Sequence, residues 1–280
     1  MSQSIHQQEA VFHDQWAKQA SPENTPVREL FEGPAAMENR FILRHMGDLT
    51  GKTLLDIGCG LGESSVYFAM RGATVTALDI SPEMIAFAHR LASHHGTHIN
   101  GKVSTAETLP EADNTYDLVY AANTLHHVTD KPRLRAEIAR VLKPGGRFFA
   151  IDPLCYNPVI NMYRRMATAV RTPDERPLSF ADVALARCYF VDVGHREFWL
   201  TSLSLFLKYY FINRIHPNQQ RYWKRIFTET QSSLRWWLPL RSLDDALTRV
   251  PGLRRLAWNM VLWGTRSSKG TVGNQVFESL

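Results

Sequence analysis

Cysteine is scarce in this chain: three in 280 residues, at positions 59, 155 and 188, with no Cys-x-x-Cys pair. That excludes a disulfide-stapled framework and a thiolate zinc cluster, and it fits a reducing, cytoplasmic setting. Long apolar runs are missing as well; none reaches the ~18–20 residues that a membrane-spanning helix needs. The opening stretch, MSQSIHQQEAVFHDQ, is polar and lacks the apolar centre of a signal peptide, so no secretion signal is expected. No internal repeat is visible.

What is present is enough apolar residue, 44% of the chain, to fill one large core or a core plus a cap. The net charge of +5 is unevenly spread. Between Leu203 and Arg255 stand ten Lys/Arg and three acids, so this segment alone carries +7. Six of the seven tryptophans fall between Trp199 and Trp263. The C-terminal part is thus basic and aromatic, and the part before it is neither.

The most informative stretch is Leu54-Leu55-Asp56-Ile57-Gly58-Cys59-Gly60-Leu61-Gly62. A short apolar run ends in an acid and opens into a Gly-x-Gly-x-Gly turn. A helix-compatible segment follows, then a second apolar run, Val75 to Leu78, tipped by Asp79. A strand, glycine loop, helix and acid-tipped strand in this order bind an adenosine-containing cofactor at the carboxyl ends of parallel strands. Dinucleotide sites space their glycines as Gly-x-Gly-x-x-Gly and offer a helix N-terminus to a pyrophosphate. Here Asp56 and Glu63 flank the loop, and two carboxylates repel a pyrophosphate. They suit S-adenosylmethionine, which has no phosphate and carries an ammonium and a sulfonium. Asp79 then sits where a carboxylate accepts hydrogen bonds from both ribose hydroxyls. Cys59, inside the loop, reads as a small residue where space is short.

The rest of the chain alternates strands and helices. Strands are expected at 53–57, 74–79, 99–104, 116–121 and 147–152, and helices at 35–47, 62–71 and from Ser81-Pro82 to about His94, where Ser caps and Pro opens the helix. A further helix opens at Asp130-Lys131-Pro132. Residues 157–170 and 180–188 read as helices, and 189–202 and 257–266 as strand-like runs. The pattern predicts an α/β fold.

On these residues the chain resembles the class I S-adenosylmethionine-dependent methyltransferases, in particular the small-molecule group that includes the ubiquinone/menaquinone methyltransferases (methyltransferase type 11). LLDIGCGLGESS (54–65) resembles the first motif of that group and VTALDIS (75–81) the second strand with its ribose-binding acid. STAETLP (104–110) resembles the loop that flanks the adenine. YDLVYAANTLHHV (116–128) resembles the fourth strand and the segment beneath the methyl donor, and LRAEIARVLKPGGRFFAID (134–152) the helix, Pro-Gly-Gly turn and fifth strand. The upstream FHDQWA (12–17) and ENRFIL (38–43) are similar too. The resemblance implies a doubly wound, mainly parallel seven-stranded sheet, the Rossmann-like methyltransferase fold, with strand seven returning antiparallel between five and six. It implies four parts: an N-terminal helical arm over the cofactor site (1–34), the Rossmann-like core (35–202), a helical cap between strands six and seven (203–255), and a last strand and tail (256–280). If strand six is parallel to the first five, the cap leaves from the cofactor edge.

The resemblance assigns the cofactor, S-adenosyl-L-methionine, to Asp56 at the methionine end, to Gly58, Gly60 and Gly62 in the loop, to Asp79 and Ile80 at the ribose, to Met84, Ala106 and Glu107 around the adenine, and to Asn123 beneath the sulfonium. His126 and His127 follow at the end of strand four. Either is a suitable general base at neutral pH, or packs the turn. Asp152, at the tip of strand five, positions the acceptor or caps the following turn, with Tyr156 beside it. His195 reads as a half-buried strand residue. His13, Asp14 and Trp16 resemble an arm that closes over the cofactor. No metal is expected.

Nucleic-acid amine methyltransferases carry an Asn/Asp-Pro-Pro-aromatic motif after strand four. This chain reads Asn123-Thr124-Leu125-His126, so no nucleic-acid partner is expected. In the basic segment the cations interleave with Leu205-Phe206-Leu207 and Tyr209-Tyr210-Phe211. One reading is a face on anionic lipid, a peripheral membrane contact. Another is a cap lining an apolar pocket, and a third is plain core with solvated arginines. The expectation is an enzyme that methylates a small hydrophobic acceptor: a lipid, isoprenoid, quinone-like ring or polyketide-like metabolite. Two rivals are a methyltransferase for a polar metabolite and a catalytically silent cofactor-binding protein.

Overall fold

The structure is a computed structural model that describes residues 5–167, 175–201, 203–218, 222–228 and 238–268. Its centre is a seven-stranded sheet: β1 Thr53–Ile57, β2 Thr74–Asp79, β3 Asn100–Val103, β4 Tyr116–Ala122, β5 Leu142–Pro153, β6 Val191–Phe198 and β7 Asn259–Thr265. The order across the sheet is β3-β2-β1-β4-β5-β7-β6. The first five strands pair in parallel, and β7 pairs antiparallel with both β5 and β6. β6 therefore runs parallel to β5, and its carboxyl end lies on the same edge as those of β1, β2 and β4. Chain direction across the sheet reverses between β1 and β4. The crevice beyond the carboxyl ends of those two strands is where such sheets bind ligands.

Strand residues alternate between two buried layers, as a pleated strand sandwiched by helices requires. Leu54, Val75, Ala77, Leu118, Tyr120, Phe149, Ile151 and Val261 pack on one face. They meet α3 (Met37–Met46), α4 (Glu63–Met70) and α5 (Pro82–His94). Leu55, Ile57, Leu78, Val119, Phe148, Ala150 and Leu262 pack on the other, against α6 (Lys131–Val141) and α8 (Phe180–Arg187). Helix starts follow local chemistry. The Ser81 hydroxyl accepts the Met84 N–H, Asp130 accepts that of Arg133, and Asn157 accepts those of Val159 and Ile160 at the start of α7 (Pro158–Met166). Each is followed by proline at the first or second helical position, where a missing N–H costs nothing. Ser179 and Asp182 form a reciprocal capping box at α8.

Strand six is shorter than the expected 189–202. It stops at Phe198 because Trp199 adopts a positive φ of 71°, which turns the chain out of the sheet. Two helical pieces precede the core: α1 (Ile5–Lys18) and the short α2 (Glu29–Glu32). Between β6 and β7 lie α9 (Leu203–Leu207), continued by a wide turn over Lys208–Ile212, then α10 (Tyr222–Thr228) and α11 (Leu238–Leu247). Part of this basic, aromatic segment is core. Leu203, Leu205, Phe206, Tyr209, Tyr222 and Ile226 are buried in the same cluster as α4 and α5. Its arginines are partly engaged: Arg225 lies over the Tyr209 ring, 5.3 Å from the centroid. Trp236 and Trp237, which contributed to the aromatic character of the segment, lie outside the described residues. Among the described residues no helix is long and apolar enough to cross a membrane.

Candidate active site

A cavity of about 320 Å³ opens at the carboxyl ends of β1, β2 and β4, bounded on one side by α1 and on the other by the segment between β6 and β7. The glycine loop forms its floor. Gly58, Gly60 and Gly62 have φ of +69°, +55° and +86°, the left-handed region that glycine tolerates. The three glycines do different work. A Cβ on Gly58 would stand 2.3 Å from the Thr124 hydroxyl, so this position keeps the loop tight against the turn after β4. Gly60 has nothing within 4 Å of its would-be Cβ and faces the open cavity. Gly62 does not line the cavity; its Cβ would meet the Ala88 Cβ at 2.5 Å, so it lets α4 pack on α5.

Carboxylates define the cofactor end. Asp79 accepts the Gly60 N–H and the Ser81 N–H, each at 2.9 Å, and burial raises its pKa. Asp56 is buried beside the loop and accepts the Ser65 hydroxyl at 2.6 Å. Burial pushes its pKa up to about 7, with Glu63 and Asp79 adding repulsion. A buried acid at the verge of ionisation is stabilised by a bound cation. The donor set therefore fits S-adenosylmethionine: acids for an ammonium, an acid at a strand tip for ribose hydroxyls, and no lysine or arginine among the described lining residues. Ile80, Ala106, Glu107 and Asn123 also line the cavity. Asn123 sits at a positive φ of 54° where β4 ends, and its N–H bonds the Ile151 carbonyl at 2.7 Å.

Two expected placements are corrected. Met84 does not reach the cavity; it is fully buried in the core. Ser81 is the cap of α5, so Met84 falls on the turn of that helix that faces the sheet. Asp152 does not face the cavity either. Along β5 the side chains alternate, and Ile151 and Pro153 take the cavity side. Asp152 points the other way, fully buried, and captures the turn after β4. It accepts the N–H groups of Leu125 (3.3 Å) and His126 (3.2 Å) and stands 2.5 Å from Nδ1 of His126. Burial raises its pKa to about 7 against the pull of those two N–H groups. Asp152 is thus a positioning residue for His126. Tyr156 accepts the Phe180 N–H and stacks on that ring, outside the cavity lining. His195 pairs with Glu197 at 2.6 Å on β6, also outside it.

His126 and His127 both line the cavity, with ring centroids 4.1 Å apart. His127 Nδ1 is 2.7 Å from Glu9 of α1. Glu9, Phe12, His13 and Trp16 form one helical face of α1 along the cavity. Asp14 holds that helix down through a 2.5 Å bond from the Ser81 hydroxyl. The spacing of Glu9 to Phe12, His13 and Trp16 was a signal for Glu9 that sequence reasoning did not use. Glu175 had no such signal. It reaches the cavity because the chain after it is laced to the end of β5: Arg176 donates its N–H to the His126 carbonyl at 2.7 Å and Leu178 to that of Pro153 at 2.9 Å. No metal group was expected from the cysteine spacing; the fold nonetheless brings ligand atoms of His126, His127 and Glu175 within 4.8 Å of one another.

The far wall is apolar and aromatic: Tyr163 of α7, Trp199, Phe227 of α10 and Trp258, with Ile160 and Ile226 between them. Glu38, Asn39 and Asn259 interrupt it. Glu38 is buried there, bonded to Asn259 at 2.9 Å, and burial raises its pKa. Asn39 accepts the Tyr120 hydroxyl at 2.7 Å. From the sequence, Trp199 and Trp258 stood out only as part of the C-terminal aromatic cluster, and Glu38 and Asn39 only within the ENRFIL motif.

Comparison with known proteins places this geometry. Residues 55–150 match the methyltransferase domain family. A ubiquinone biosynthesis O-methyltransferase of Methylobacterium nodulans is 37% identical over 116 residues, 39% of this chain and 47% of that protein. Phosphoethanolamine N-methyltransferase 1 of Triticum aestivum is 34% identical over 109 residues, 39% of this chain and 22% of that protein. The match therefore spans less than half the length of these curated relatives. Among solved structures, phosphoethanolamine N-methyltransferase 2 of Haemonchus contortus, in complex with phosphomonomethylethanolamine and S-adenosylhomocysteine, superposes with a TM-score of 0.60 at 17% identity, covering 95% of this chain and 60% of that one. Sheet order, glycine loop, acid-tipped β2 and domain match agree: residues 55–150 carry a methyltransferase domain, and the sheet around it has the Rossmann-like fold of S-adenosylmethionine-dependent methyltransferases.

Proposed function

We propose that this protein transfers the methyl group of S-adenosylmethionine to a small hydrophobic acceptor. S-Adenosylmethionine supplies a methyl on a sulfonium, already activated for in-line displacement. The protein has to hold the nucleophile in line and exclude water. In this reading Asp56, Gly58, Gly60, Asp79, Ile80, Ala106, Glu107 and Asn123 hold the cofactor, and α1 closes over it through Glu9, His13 and Trp16. His126, oriented by Asp152, faces the acceptor and takes up its proton at Nε2.

The observation that carries the choice of acceptor is the far wall. Four aromatic side chains and two isoleucines line the end of the cavity opposite the glycine loop, interrupted by Glu38 and Asn259. Such a surface favours an apolar molecule with one polar group over a phosphorylated amine. The peripheral membrane contact belongs to the same reading. At the end of α9 and in the wide turn that continues it, Leu207, Tyr210, Phe211 and Ile212 are exposed, Phe211 and Ile212 by 69% and 76%, with Lys208 and Arg214 near them in sequence. Apolar side chains ringed by cations suit an anionic lipid surface that supplies the acceptor.

The test is to incubate the protein with methyl-labelled S-adenosylmethionine and a whole-cell extract, then partition the product. Label in the organic phase supports the hydrophobic acceptor. Label confined to the aqueous phase favours a polar one, and no transfer to either favours a silent cofactor-binding protein.

A further inference from the structure

The two histidines at the centre of the cavity are held in the same unusual way. Nδ1 of His126 lies 2.5 Å from Asp152, and Nδ1 of His127 lies 2.7 Å from Glu9. With each Nδ1 donating to its carboxylate, Nε2 is the ring nitrogen left to act as a ligand. Carboxylate-backed imidazoles of this kind are the outer shell of histidine metal sites, where the carboxylate fixes the tautomer and raises the basicity of the ligating nitrogen. The third member is Glu175, whose Oε2 is 3.9 Å from Nε2 of His126.

We infer that His126, His127 and Glu175 form a two-histidine, one-carboxylate site for a divalent transition cation of the zinc type, placed to bind the oxygen of a hydroxylated acceptor. Their ligand atoms lie within 4.8 Å of one another. In a tetrahedral zinc site with bonds of ~2.0–2.1 Å the ligand atoms stand about 3.4 Å apart, so the group closes on a cation through small side-chain rotations. The three come from separate constraints that agree. His126 and His127 are fixed by the turn after β4, Asp152 and Glu9. Glu175 is fixed by the bonds from Arg176 and Leu178 to the His126 and Pro153 carbonyls. Two imidazoles and one carboxylate leave a fourth position, and here that position faces the cavity. Imidazole ligands favour zinc, cobalt, nickel or iron over magnesium.

This inference rests on the methyl-transfer reading and narrows it to an oxygen nucleophile. A cation at Nε2 takes the place of His126 as the acceptor's base. It lowers the pKa of a bound hydroxyl, whose proton passes to bulk water. The alkoxide or phenolate oxygen then forms its bond to the methyl carbon as the sulfur–methyl bond breaks, leaving a methyl ether, S-adenosylhomocysteine and one released proton.

Cobalt(II) titration of the chelator-stripped full chain tests the site without relying on turnover. One equivalent is expected to bind, with visible d–d absorption of a four- or five-coordinate nitrogen/oxygen site. His127→Ala and Glu175→Gln are each expected to weaken it by ~10–100-fold or more. S-Adenosylhomocysteine titration of the same samples reports on the methyltransferase fold and cofactor site. Absence of a stoichiometric cobalt spectrum, with S-adenosylhomocysteine still binding, overturns the cation site and leaves the methyl-transfer reading standing. Cobalt bound equally by wild type and both variants places the ion on other histidines and also overturns it. Loss of S-adenosylhomocysteine binding in wild type instead removes the methyltransferase reading itself.

Discussion

The two ends of the cavity are built by opposite strategies. The cofactor end comes largely from contiguous chain: residues 56–62 and 79–80 supply a loop and two buried acids, and backbone N–H groups supply most of the order. The end proposed for the acceptor is assembled from remote pieces: Glu38, His126, Tyr163, Glu175, Trp199, Phe227 and Asn259 line the cavity from across the chain. A site read by backbone geometry tolerates little variation and carries one ligand through many relatives. A wall of side chains on separate elements is free to change with the acceptor. The relatives fit that contrast, since an O-methyltransferase and a phosphoethanolamine N-methyltransferase each match only 39% of this chain.

The sharpest way to separate the two ends is Asp152→Asn. It disturbs the orientation of His126 while leaving the glycine loop alone. Turnover is expected to fall by ~10²–10⁴-fold, the range for a mispositioned acid–base group. S-Adenosylhomocysteine affinity, measured by titration calorimetry, is expected to stay within a few-fold. Equal losses in both would show that the ends do not function separately.

Asp56 gives the cofactor end a pH signature. Burial pushes its pKa up to about 7, and in the proposed role it ionises to pair with the cofactor's ammonium. Cofactor affinity is therefore expected to fall as pH drops through 7, approaching tenfold per unit. The effect on folding has the opposite sign. The folded pKa lies above the unfolded value, so the contribution of Asp56 to stability is full below the unfolded pKa and is lost as pH rises through about 7. Asp56→Asn is expected to weaken cofactor binding at pH 8 and yet raise the ligand-free melting temperature there. Thermal melts at pH 5 and 8 check it, with the difference between variant and wild type larger at pH 8.

Gly62→Ala probes the one loop glycine that shapes packing alone. The added Cβ meets Ala88 at a positive φ, so a loss of ~1–3 kcal/mol in denaturant titration is expected. The smallest effect on stability belongs to Phe211→Ser with Ile212→Ser. Both side chains are exposed, so stability is expected to change by no more than ~0.5 kcal/mol. Flotation with anionic vesicles is nevertheless expected to lose the protein. Unchanged flotation would remove lipid contact from the account.

The same contrast explains what was legible in the sequence. Strands β1, β2 and β4 and the glycine loop announce themselves through short-range pattern, and their order fixes where the cleft opens. Asp56 and Asp79 come to the cavity because β1 and β2 end at its rim. Asp152 misled because its neighbour Ile151, not Asp152, has the cavity phase of β5. Met84 misled because a helix cap three residues earlier sets its phase toward the core. Glu175 and Asn259 were invisible for a different reason. Each becomes meaningful only when tertiary contacts bring it to the wall, whereas Glu38 lies in the ENRFIL motif but with no role attached to it. Glu9 is the intermediate case, readable from its spacing to His13 on α1.

The most direct test of this division is calorimetric titration of S-adenosylhomocysteine into wild type, Asp79→Ala and Phe227→Ala. Asp79 lies at the cofactor end and Phe227 on the acceptor wall. Micromolar binding is expected in wild type, a loss of roughly 10²-fold or more in Asp79→Ala, where two hydrogen bonds to a charged group disappear, and retention within about threefold in Phe227→Ala. Equal weakening in both variants, or none in Asp79→Ala, would contradict the division.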